Sequence, residues 1–225
     1  MELRITGLKR SFMTAEGELF ALDGIDLTIN DGEFVAIVGE SGSGKTTLLN
    51  MIAGLDRPSE GKIMLDDTEL SALDGDALAK LRRRRIGVIY QFYNLVPELN
   101  IRDNVTLPIE LDGGDIDEAR LSEIIGSVGL DGRENDYPNM LSGGQQQRAA
   151  IARALYQKPS LLLADEPTGN LDSRNSREIM ALLTELNKKD GITLVVVTHS
   201  EEVAKMARRV IRLEDGRVAE DRRSL

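Results

Sequence analysis

The most informative absence in this sequence is cysteine, because none of its 225 residues is one. Disulfide bonds, thiolate catalysis and cysteine-ligated zinc are therefore excluded, and the composition suits a reducing compartment. The first ten residues, MELRITGLKR, contain no apolar signal segment, so we expect no secretory signal there. The longest apolar runs, such as Leu194–Val197, are too short to span a bilayer.

A basic surface is also lacking. The formal net charge is −10, whereas a nonspecific nucleic-acid binder normally shows a basic footprint, so we expect no nucleic-acid partner. The local exception is the arginine run Arg82–Arg85, which we interpret as a solvated helix end, with lipid head groups or a partner as the alternative. The 41% of hydrophobic and 29% of charged residues suit a soluble globular protein, and the length suits one domain.

Short apolar segments alternate with helical patterns along the chain. FVAIVG (34–39), SLLLADE (160–166) and TLVVVTHS (193–200) have the pattern of buried parallel strands. This alternation predicts an α/β fold with a mainly parallel sheet. VIRLEDGRVAED (210–221) predicts a hairpin that turns at Asp-Gly. Residues 92–155 contain prolines and two helical segments, around 101–107 and 115–128, and we interpret them as a helical insertion.

A glycine-rich segment, GESGSGKT at residues 39–46, matches the phosphate-loop pattern G-x-x-x-x-G-K-[ST] at every fixed position. It lies between an apolar strand and a helical pattern, which is the context the pattern requires. The glycines let backbone N–H groups face phosphate oxygens, and the helix N-terminus adds partial positive charge. Lys45 would contact the β- and γ-phosphates, and the Thr46 hydroxyl would ligate Mg²⁺. The alternative is a glycine-rich turn that arose by chance.

Two acidic residues end a second apolar strand. The run Leu161–Ala164 delivers Asp165 to the C-terminal edge of the sheet, where a carboxylate can hold Mg²⁺. Glu166 is placed to polarise the attacking water as a general base. Because neighbouring side chains on a strand point to opposite faces, a bend here would let both carboxylates reach the site. The alternative is an acidic strand end that faces solvent.

Two further polar residues follow buried strands. His199, the single histidine, follows TLVVVT, and Gln91 follows IGVIY. Ligands gather at the carboxyl ends of strands in α/β sheets, so both are candidate site residues. Gln91 would contact metal or water and sense the γ-phosphate. Each is a weak signal by itself, because a lone histidine is usually a surface or core residue.

A second glycine-rich segment, MLSGGQQQR at residues 140–148, precedes an alanine-rich helical pattern. Ser142, Gly143 and Gly144 therefore predict an anion site at a helix N-terminus. The alternative is a plain helix cap, which we expect not to explain the serine, the two glycines and Gln145 together.

In this combination and order, the segments resemble the nucleotide-binding subunits of ABC transporters, over nearly the whole chain. The motifs are Phe12 as adenine-stacking aromatic, the phosphate loop 39–46, Gln91, the signature Leu141–Gln145, the strand 161–165 with Glu166, the turn 169–172, and His199. The resemblance implies one ABC ATPase domain, 1–225, of the α/β class. Its parts are a P-loop NTPase (RecA-like) core with a mainly parallel sheet, an N-terminal antiparallel β subdomain and an inserted α-helical signature subdomain. The core and β parts would occupy about 1–91 and 156–225, and the helical part 92–155.

The resemblance also implies roles for particular residues, with ATP and Mg²⁺ as cofactors. The implied nucleotide-binding residues are Phe12, Gly39, Glu40, Ser41, Gly42, Ser43, Gly44, Lys45, Thr46 and Thr47. The implied catalytic residues are Lys45, Gln91, Glu166 and His199, and the implied metal ligands are Thr46, Gln91 and Asp165. The signature Leu141, Ser142, Gly143, Gly144 and Gln145 would bind the γ-phosphate of ATP held by a second copy in a head-to-tail dimer. The turn Asn170, Leu171 and Asp172 would lie on the same interface. Phe12 stands where the family often has tyrosine, so the preference for ATP over GTP stays open.

Two segments narrow the resemblance within the family. YQFYNLVPELNIRDNVTLPIEL and DEPTGNLD are similar to the lipoprotein-release, macrolide-efflux and cell-division branch, whose cassettes serve a membrane permease. We expect the permease to dock near residues 91–99, although these side chains would alternatively fill the helical insertion. The chain would then work at the cytoplasmic face of the membrane, driving an exporter or a lipoprotein-release system. A mechanotransmitter without cargo is the alternative, whereas the uninterrupted cassette and the acidic charge disfavour DNA-repair and ribosomal ATPases.

Overall fold

The structure is a computed structural model that describes residues 1–15 and 17–223. Its strands are β1 (Leu3–Thr14), β2 (Gly17–Ile29), β3 (Phe34–Val38), β4 (Glu60–Leu65), β5 (Thr68–Glu69), β6 (Ile86–Ile89), β7 (Leu161–Asp165), β8 (Thr193–Val197), β9 (Arg209–Glu214) and β10 (Arg217–Arg223). Its α-helices are α1 (Lys45–Ile52), α2 (Gly75–Arg85), α3 (Ile101–Leu111), α4 (Glu118–Ser127), α5 (Gly143–Tyr156), α6 (Ser173–Asp190) and α7 (Glu201–Ala204).

The strands form two sheets. One is antiparallel, with the strand order β2-β1-β4-β5. The other has the order β10-β9-β3-β8-β7-β6, and it is parallel except for the β9–β10 hairpin. The predicted α/β class, with its mainly parallel sheet and antiparallel N-terminal strands, is confirmed.

The central strands β3, β7 and β8 are apolar except for Thr193 at the start of β8 and Asp165 at the end of β7, because both of their faces are covered. Alternate residues of each strand belong to different cores, as the two-residue period of a strand requires. Leu162 and Ala164 of β7 face a core shared with α3 to α6, whereas Leu161 and Leu163 face α1 and the antiparallel sheet. The carboxyl ends of these strands meet at one edge, and this edge carries the candidate site.

Helix signals in the sequence place most of the helices correctly. Asp74, Asn100, Asp117 and Asp172 each cap the helix that follows, accepting a hydrogen bond from a backbone N–H group of its first turn. The two helical segments expected around 101–107 and 115–128 are α3 and α4, and α3 continues through Pro108 to Leu111. The segment GIDLTINDGE (24–33) predicts a strand followed by a turn, whereas strand β2 begins earlier, at Gly17.

The arginine run at the end of α2 is used within the chain rather than left as a solvated helix end. Arg82 Nη1 donates to the carbonyl of Gly54 at 2.7 Å, and Arg85 pairs with Asp66 at 2.6 Å. The carboxylate of Asp112, at the end of α3, pairs with both remaining arginines, which lowers its pKa. These charge-assisted hydrogen bonds hold partly exposed arginine side chains against neighbouring elements. In the part of the chain that is described, no helix is long and apolar enough to cross a bilayer.

Candidate functional site

The phosphate loop connects β3 to α1, and two of its glycines are fixed by close backbone neighbours. A Cβ atom on Gly39 would lie 2.3 Å from the carbonyl oxygen of Leu213. A Cβ atom on Gly44, whose φ is +99°, would lie 2.4 Å from the carbonyl oxygen of Ala21. Only glycine fits such positions without moving backbone. The loop is therefore shaped by strands β2 and β9 on either side of it.

The N-terminus of α1 has no side-chain cap, because its N-cap residue is Gly44. The first N–H groups of the helix consequently stay available to an external acceptor, which is the feature that binds phosphate at helix N-termini. The Lys45 ammonium group is almost fully buried beneath the loop and donates to the carbonyls of Gly39 and Glu40 at 2.9 and 2.6 Å. The cradle thus concentrates positive potential inside a chain whose net charge is −10.

Asp165 lies at the end of β7, with its Oδ1 atom 3.4 Å from the hydroxyl of Thr46. Burial, and then the neighbouring charge of Glu166, raises the pKa of the Asp165 carboxyl. Both effects disfavour the ionised form, and a divalent cation held between Thr46 and Asp165 would oppose both. A hydroxyl and a carboxylate are ligands that suit Mg²⁺, which usually keeps several waters and needs few protein ligands.

Glu166 adopts a left-handed backbone conformation, with φ of +46°. This conformation is uncommon for a residue with a side chain and supplies the bend that the sequence analysis required. The carboxylate is held from both sides: Oε1 lies 2.8 Å from Nδ1 of His199, and Oε2 accepts from the hydroxyl of Thr198 at 3.2 Å. The single histidine and the candidate base are thus in direct contact.

One cleft of about 330 Å³ brings predicted residues of the phosphate loop together with two predicted catalytic residues. Its lining includes Lys45, Thr46 and Thr47 from the phosphate loop side, and Glu166 and His199 from the ends of β7 and β8. The clustering follows from the parallel sheet, because residues distant in sequence meet where the strands end.

Gln91 lies beside this group rather than in hydrogen-bond contact with it. Its side-chain amide packs against Gly169, where an added Cβ atom would lie 2.7 Å from Nε2 of Gln91. Its backbone carbonyl accepts a hydrogen bond from Nδ2 of Asn170 at 3.0 Å. Among the residues described, no hydrogen bond joins the Gln91 side chain to Thr46 or Asp165. The structure therefore links Gln91 to the turn 169–172.

Phe12 lies near the end of β1, on the antiparallel sheet, and 43% of it is exposed. The guanidinium carbon of Arg10 lies 4.6 Å from the centroid of its ring, a cation–π distance. Arg10 is held in turn by Asp56 at 3.0 Å. One face of the ring is thereby occupied by a cation.

The signature segment starts α5 with a complete capping box. The Ser142 hydroxyl accepts from the Gln145 N–H group, and the Gln145 side chain accepts from the Ser142 N–H group at 2.9 Å. An added Cβ atom on Gly143 would lie 2.7 Å from the hydroxyl of Tyr93, and one on Gly144 would lie 2.6 Å from Oδ1 of Asn175. The cap therefore accounts for Ser142 and Gln145, whereas close packing against Tyr93 and Asn175 accounts for the two glycines.

The turn 169–172 lies between the signature and the Gln91 loop. The Cδ2 atom of Leu171 would lie 3.6 Å from a Cβ atom added to Gly143. Asp172 caps α6, and its side chain accepts a hydrogen bond from Nδ2 of Asn175 at 2.6 Å. Asn170 contacts Gln91 as described above. Asn170 and Leu171 thus lie against two other predicted motifs, the Gln91 loop and the signature, whereas Asp172 caps α6.

The segment after Gln91 is partly core and partly surface. Leu95 packs against the helical core, as the alternative interpretation required, whereas 71% of Phe92 is exposed. Arg153 of α5 donates to the carbonyls of Tyr93 and Asn94 at 2.9 and 2.6 Å. The segment is thereby tied to the signature helix, with Phe92 pointing outwards.

Three contact residues escaped the sequence analysis: Gln147, Arg153 and Asn175. Each contacts a predicted motif, or the residue next to one, through an amide or guanidinium group. The sequence offered no signal for Gln147, since it stands in the polar run Gln145–Arg148 and its full burial is visible only in the structure.

Comparisons with known proteins agree with this geometry. A family model described as ABC transporter matches residues 22–169. The chain is 48% identical, over 97% of its length, to the macrolide export ATP-binding/permease protein MacB of Rhodopirellula baltica, and it spans only 33% of that protein. It is 45% identical to the ABC transporter ATP-binding protein MJ0796 of Methanocaldococcus jannaschii, over 96% of this chain and 94% of that one.

Two solved structures of MJ0796 superpose on the chain with a TM-score of 0.90, each covering 98% of both chains. One, 42% identical, is described as a dimeric post-hydrolysis state bound to ADP and Pi, and the other, 43% identical, as a dimeric cassette. These similarities confirm the predicted family and its class of activity, ATP hydrolysis. The chain belongs to the ABC transporter family, and it is an ATP-binding cassette of that family.

Proposed function

We propose that this cassette hydrolyses ATP between two copies of itself, arranged head to tail, and thereby drives a membrane permease. The observation that carries the proposal is the cleft in which the phosphate loop faces the contacting pair Glu166 and His199. A nucleotide held by the loop would present its γ-phosphate to this pair. The dimeric MJ0796 structures, one of them with ADP and Pi, support the same arrangement.

In the proposed reaction, a water molecule attacks the γ-phosphorus, the bond to the β-phosphate oxygen breaks, and ADP leaves with its electron pair. Glu166 accepts the proton of the attacking water. His199 and Thr198 hold the two oxygens of that carboxylate, which fixes its direction before the nucleotide is cleaved. The loop N–H groups and Lys45 bind the phosphates, and Phe12 stacks on the base.

Thr46 and Asp165 would hold Mg²⁺, with Gln91 as a further ligand when its loop approaches. The ion supplies positive charge to the β- and γ-phosphate oxygens. Asp165 fits this role because its own surroundings, burial and the adjacent Glu166, disfavour an unpaired carboxylate.

The signature of one copy would bind the γ-phosphate held by the other. The helix geometry leaves the N–H groups of Gly143 and Gly144 without an acceptor in a preceding turn, so they can serve an external anion. The turn Asn170–Asp172 would lie on the same interface. Each copy then gives one cradle and receives one signature, as a twofold interface requires.

The permease partner follows from the MacB relatives, which combine ATP-binding and permease parts, whereas this chain spans about a third of their length. We place its docking surface at residues 91–99, where Phe92 is exposed beside the Gln91 loop. The cassette would then act at the cytoplasmic face of the membrane, for an exporter or a lipoprotein-release system. The mechanotransmitter alternative has no separate observation in its favour.

Glu166→Gln tests the hydrolytic part of the proposal. This variant should bind ATP, lose turnover and sediment as a dimer with ATP but as a monomer without it. A second test mixes Lys45→Ala with Ser142→Asp, each inactive alone, because a mixed dimer contains one intact site. Absence of any regained ATPase activity in the mixture would contradict shared sites.

The docking surface is tested with a photo-crosslinking residue in place of Phe92, in membranes that contain the co-expressed permease. We expect crosslinks to the permease from this position and none from the control position Leu19, which is also exposed but lies on the β1–β2 hairpin. Crosslinking from Leu19 instead of Phe92 would place the permease elsewhere.

A further inference from the structure

Helix α5 connects two sites that the proposed function assigns to different ATP molecules. Its first residues, Gly143 and Gly144, belong to the signature, which serves the nucleotide of the partner copy. One turn later, Gln147 points into the interior and is fully buried. Successive turns of an α-helix are joined by backbone hydrogen bonds, so a displacement of the first turn of α5 also moves Gln147.

Gln147 contacts the turn that carries the candidate general base. Its Nε2 atom donates to the carbonyl oxygen of Pro167 at 2.7 Å, and Pro167 follows Glu166 directly. The turn is held elsewhere by the Glu166 N–H group, which donates to the carbonyl of Val197 at 2.9 Å, and by Gly169, whose N–H group donates to the carbonyl of Glu166. Gln147 is thus the side chain of α5 that fixes the turn.

The turn needs such support because Glu166 has a left-handed backbone conformation, with φ of +46°. A residue with a Cβ atom persists in this region only where its surroundings over-determine it. Fixing the peptide group after Pro167 removes a direction in which the turn could relax. The direction of the Glu166 carboxylate therefore depends on where α5 places its amide.

The Gln147 side chain is poorly matched to a purely structural role. Its Oε1 atom is buried and accepts no hydrogen bond from the described residues. A buried acceptor without a donor is unfavourable, and a side chain of similar volume without polar atoms would fill the same space more favourably. The useful part of the residue is the one hydrogen bond that it donates.

We propose that Gln147 is a positioning residue that couples each signature to the catalytic carboxylate of its own chain. When the signature engages the ATP of the partner, α5 is fixed, and Gln147 fixes Glu166 at the other ATP. The two sites of the dimer are thereby linked through each protomer in turn. This inference rests on the proposed function, since it takes Glu166 as the base and the signature as acting in trans.

The test is Gln147→Met in the full chain, which keeps the volume and removes the donor. We expect an unchanged Kd for ATP, a fall in kcat on the order of 10- to 100-fold, and a Hill coefficient for ATPase activity that falls from about 2 toward about 1. The matched control is Gln157→Met at the other end of α5, where a buried amide nitrogen faces no catalytic residue. It should leave kcat and the Hill coefficient as in wild type.

A wild-type kcat and Hill coefficient in folded Gln147→Met would overturn the inference. To separate this from failure of the proposed function, Gln147→Met is combined with Glu166→Gln. The double variant should still sediment as a dimer with ATP; if Glu166→Gln alone stays monomeric, the proposed function fails first.

Hydrogen exchange gives a measurement that does not depend on the folding of Gln147→Met. In Glu166→Gln, the amides of residues 143–147 and of residues 166, 168 and 169 should gain protection at the same ATP concentration, because one event fixes both segments. Separate midpoints for the two segments would show that they are not coupled.

Discussion

The two glycine-rich helix starts, residues 39–46 and 142–145, look alike in sequence but differ in structure. In the first, Gly42 and Gly44 have positive φ, no side chain caps α1, and a buried lysine lies beneath the loop. In the second, the serine and the glutamine cap the helix themselves, and the glycines make room for Tyr93 and Asn175. The first segment is shaped around a ligand, whereas the second is shaped around its own chain.

This difference shows why the second segment is suited to act between chains. A capped helix start on a packed surface is rigid before any ligand arrives, so it has little conformational freedom to lose on binding. The signature segment, residues 142–145, contains no cationic side chain. In the proposed function, the positive charge that holds the triphosphate comes from Lys45 of the phosphate loop. In the proposed function, the two segments become complementary halves of a single site when two copies meet.

The largest expected effect is at the phosphate loop, residues 39–46, with the substitution Gly44→Ala. The new Cβ atom would meet the Ala21 carbonyl at 2.4 Å, and φ is +99°, so we expect a loss of about 2–4 kcal/mol in the free energy of unfolding and loss of ATP binding. Thermal unfolding and an ATP titration measure both. The control is Gly42→Ala, where φ is +83° but no atom lies within 4 Å, and where strain alone should cost about 1 kcal/mol.

A smaller effect is expected at the signature segment, with the substitution Gly144→Ala. Here the Cβ atom meets a side chain, Oδ1 of Asn175 at 2.6 Å, so we expect a loss of about 1–3 kcal/mol. Adding Asn175→Ala should recover part of this loss, and a double-mutant cycle in urea measures the recovery. Strict additivity of the two changes would show that Asn175 does not determine the need for glycine.

Ser142 separates the two roles of the signature. Ser142→Ala removes the cap and should cost about 1 kcal/mol of stability. Ser142→Asp keeps a good capping side chain but places a negative charge where the partner's γ-phosphate is proposed to bind. We therefore expect near wild-type thermal stability for Ser142→Asp, yet no ATP-dependent dimer when it is combined with Glu166→Gln. An ATP-dependent dimer that persists in this double variant would show that Ser142 acts only as a helix cap.

The smallest expected effect is on the pH dependence of stability. Hydrogen bonds from Arg209 lower the pKa of Asp221 on the β9–β10 hairpin behind the phosphate loop, and backbone hydrogen bonding to Asn175 lowers that of Asp172 behind the signature segment. Because both pKa values are depressed by folding, the stabilisation is complete above about pH 3.9 and is lost as the pH falls further, through the folded-state values.

The matched variants are Asp221→Asn and Asp172→Asn, compared by urea unfolding at several pH values. Asp221→Asn loses the charge that pairs with Arg209, so it should flatten the acid limb more. Asparagine remains a good helix cap at position 172, so the second variant should have the smaller effect. A reversed order would show that ionised Asp172, behind the signature segment, contributes more to stability than ionised Asp221.

Local patterns were sufficient for the predictions that rest on neighbouring residues. The apolar runs of β3, β7 and β8, the Asp-Gly turn between β9 and β10, and the phosphate loop could each be read within about ten residues, because the periodicity or turn chemistry is local. The start of β2 at Gly17 was missed, since its exposed residues show no alternation of apolar and polar side chains. The pairing of Arg83 and Arg84 with Asp112, and of Arg85 with Asp66, was missed because it joins residues far apart in the chain.

The sequence by itself determined the fold class and the type of ligand, because glycine, lysine and apolar strands act through local backbone geometry. It could not decide what Gly143, Gly144 and Gln147 contact, because those neighbours, Tyr93, Asn175 and Pro167, come from other elements. Only the packing of α5 against the Gln91 loop, the turn after β7 and the start of α6 brings them within reach. Tertiary structure therefore decided how the signature is held, and through which atoms α5 contacts the turn after Glu166.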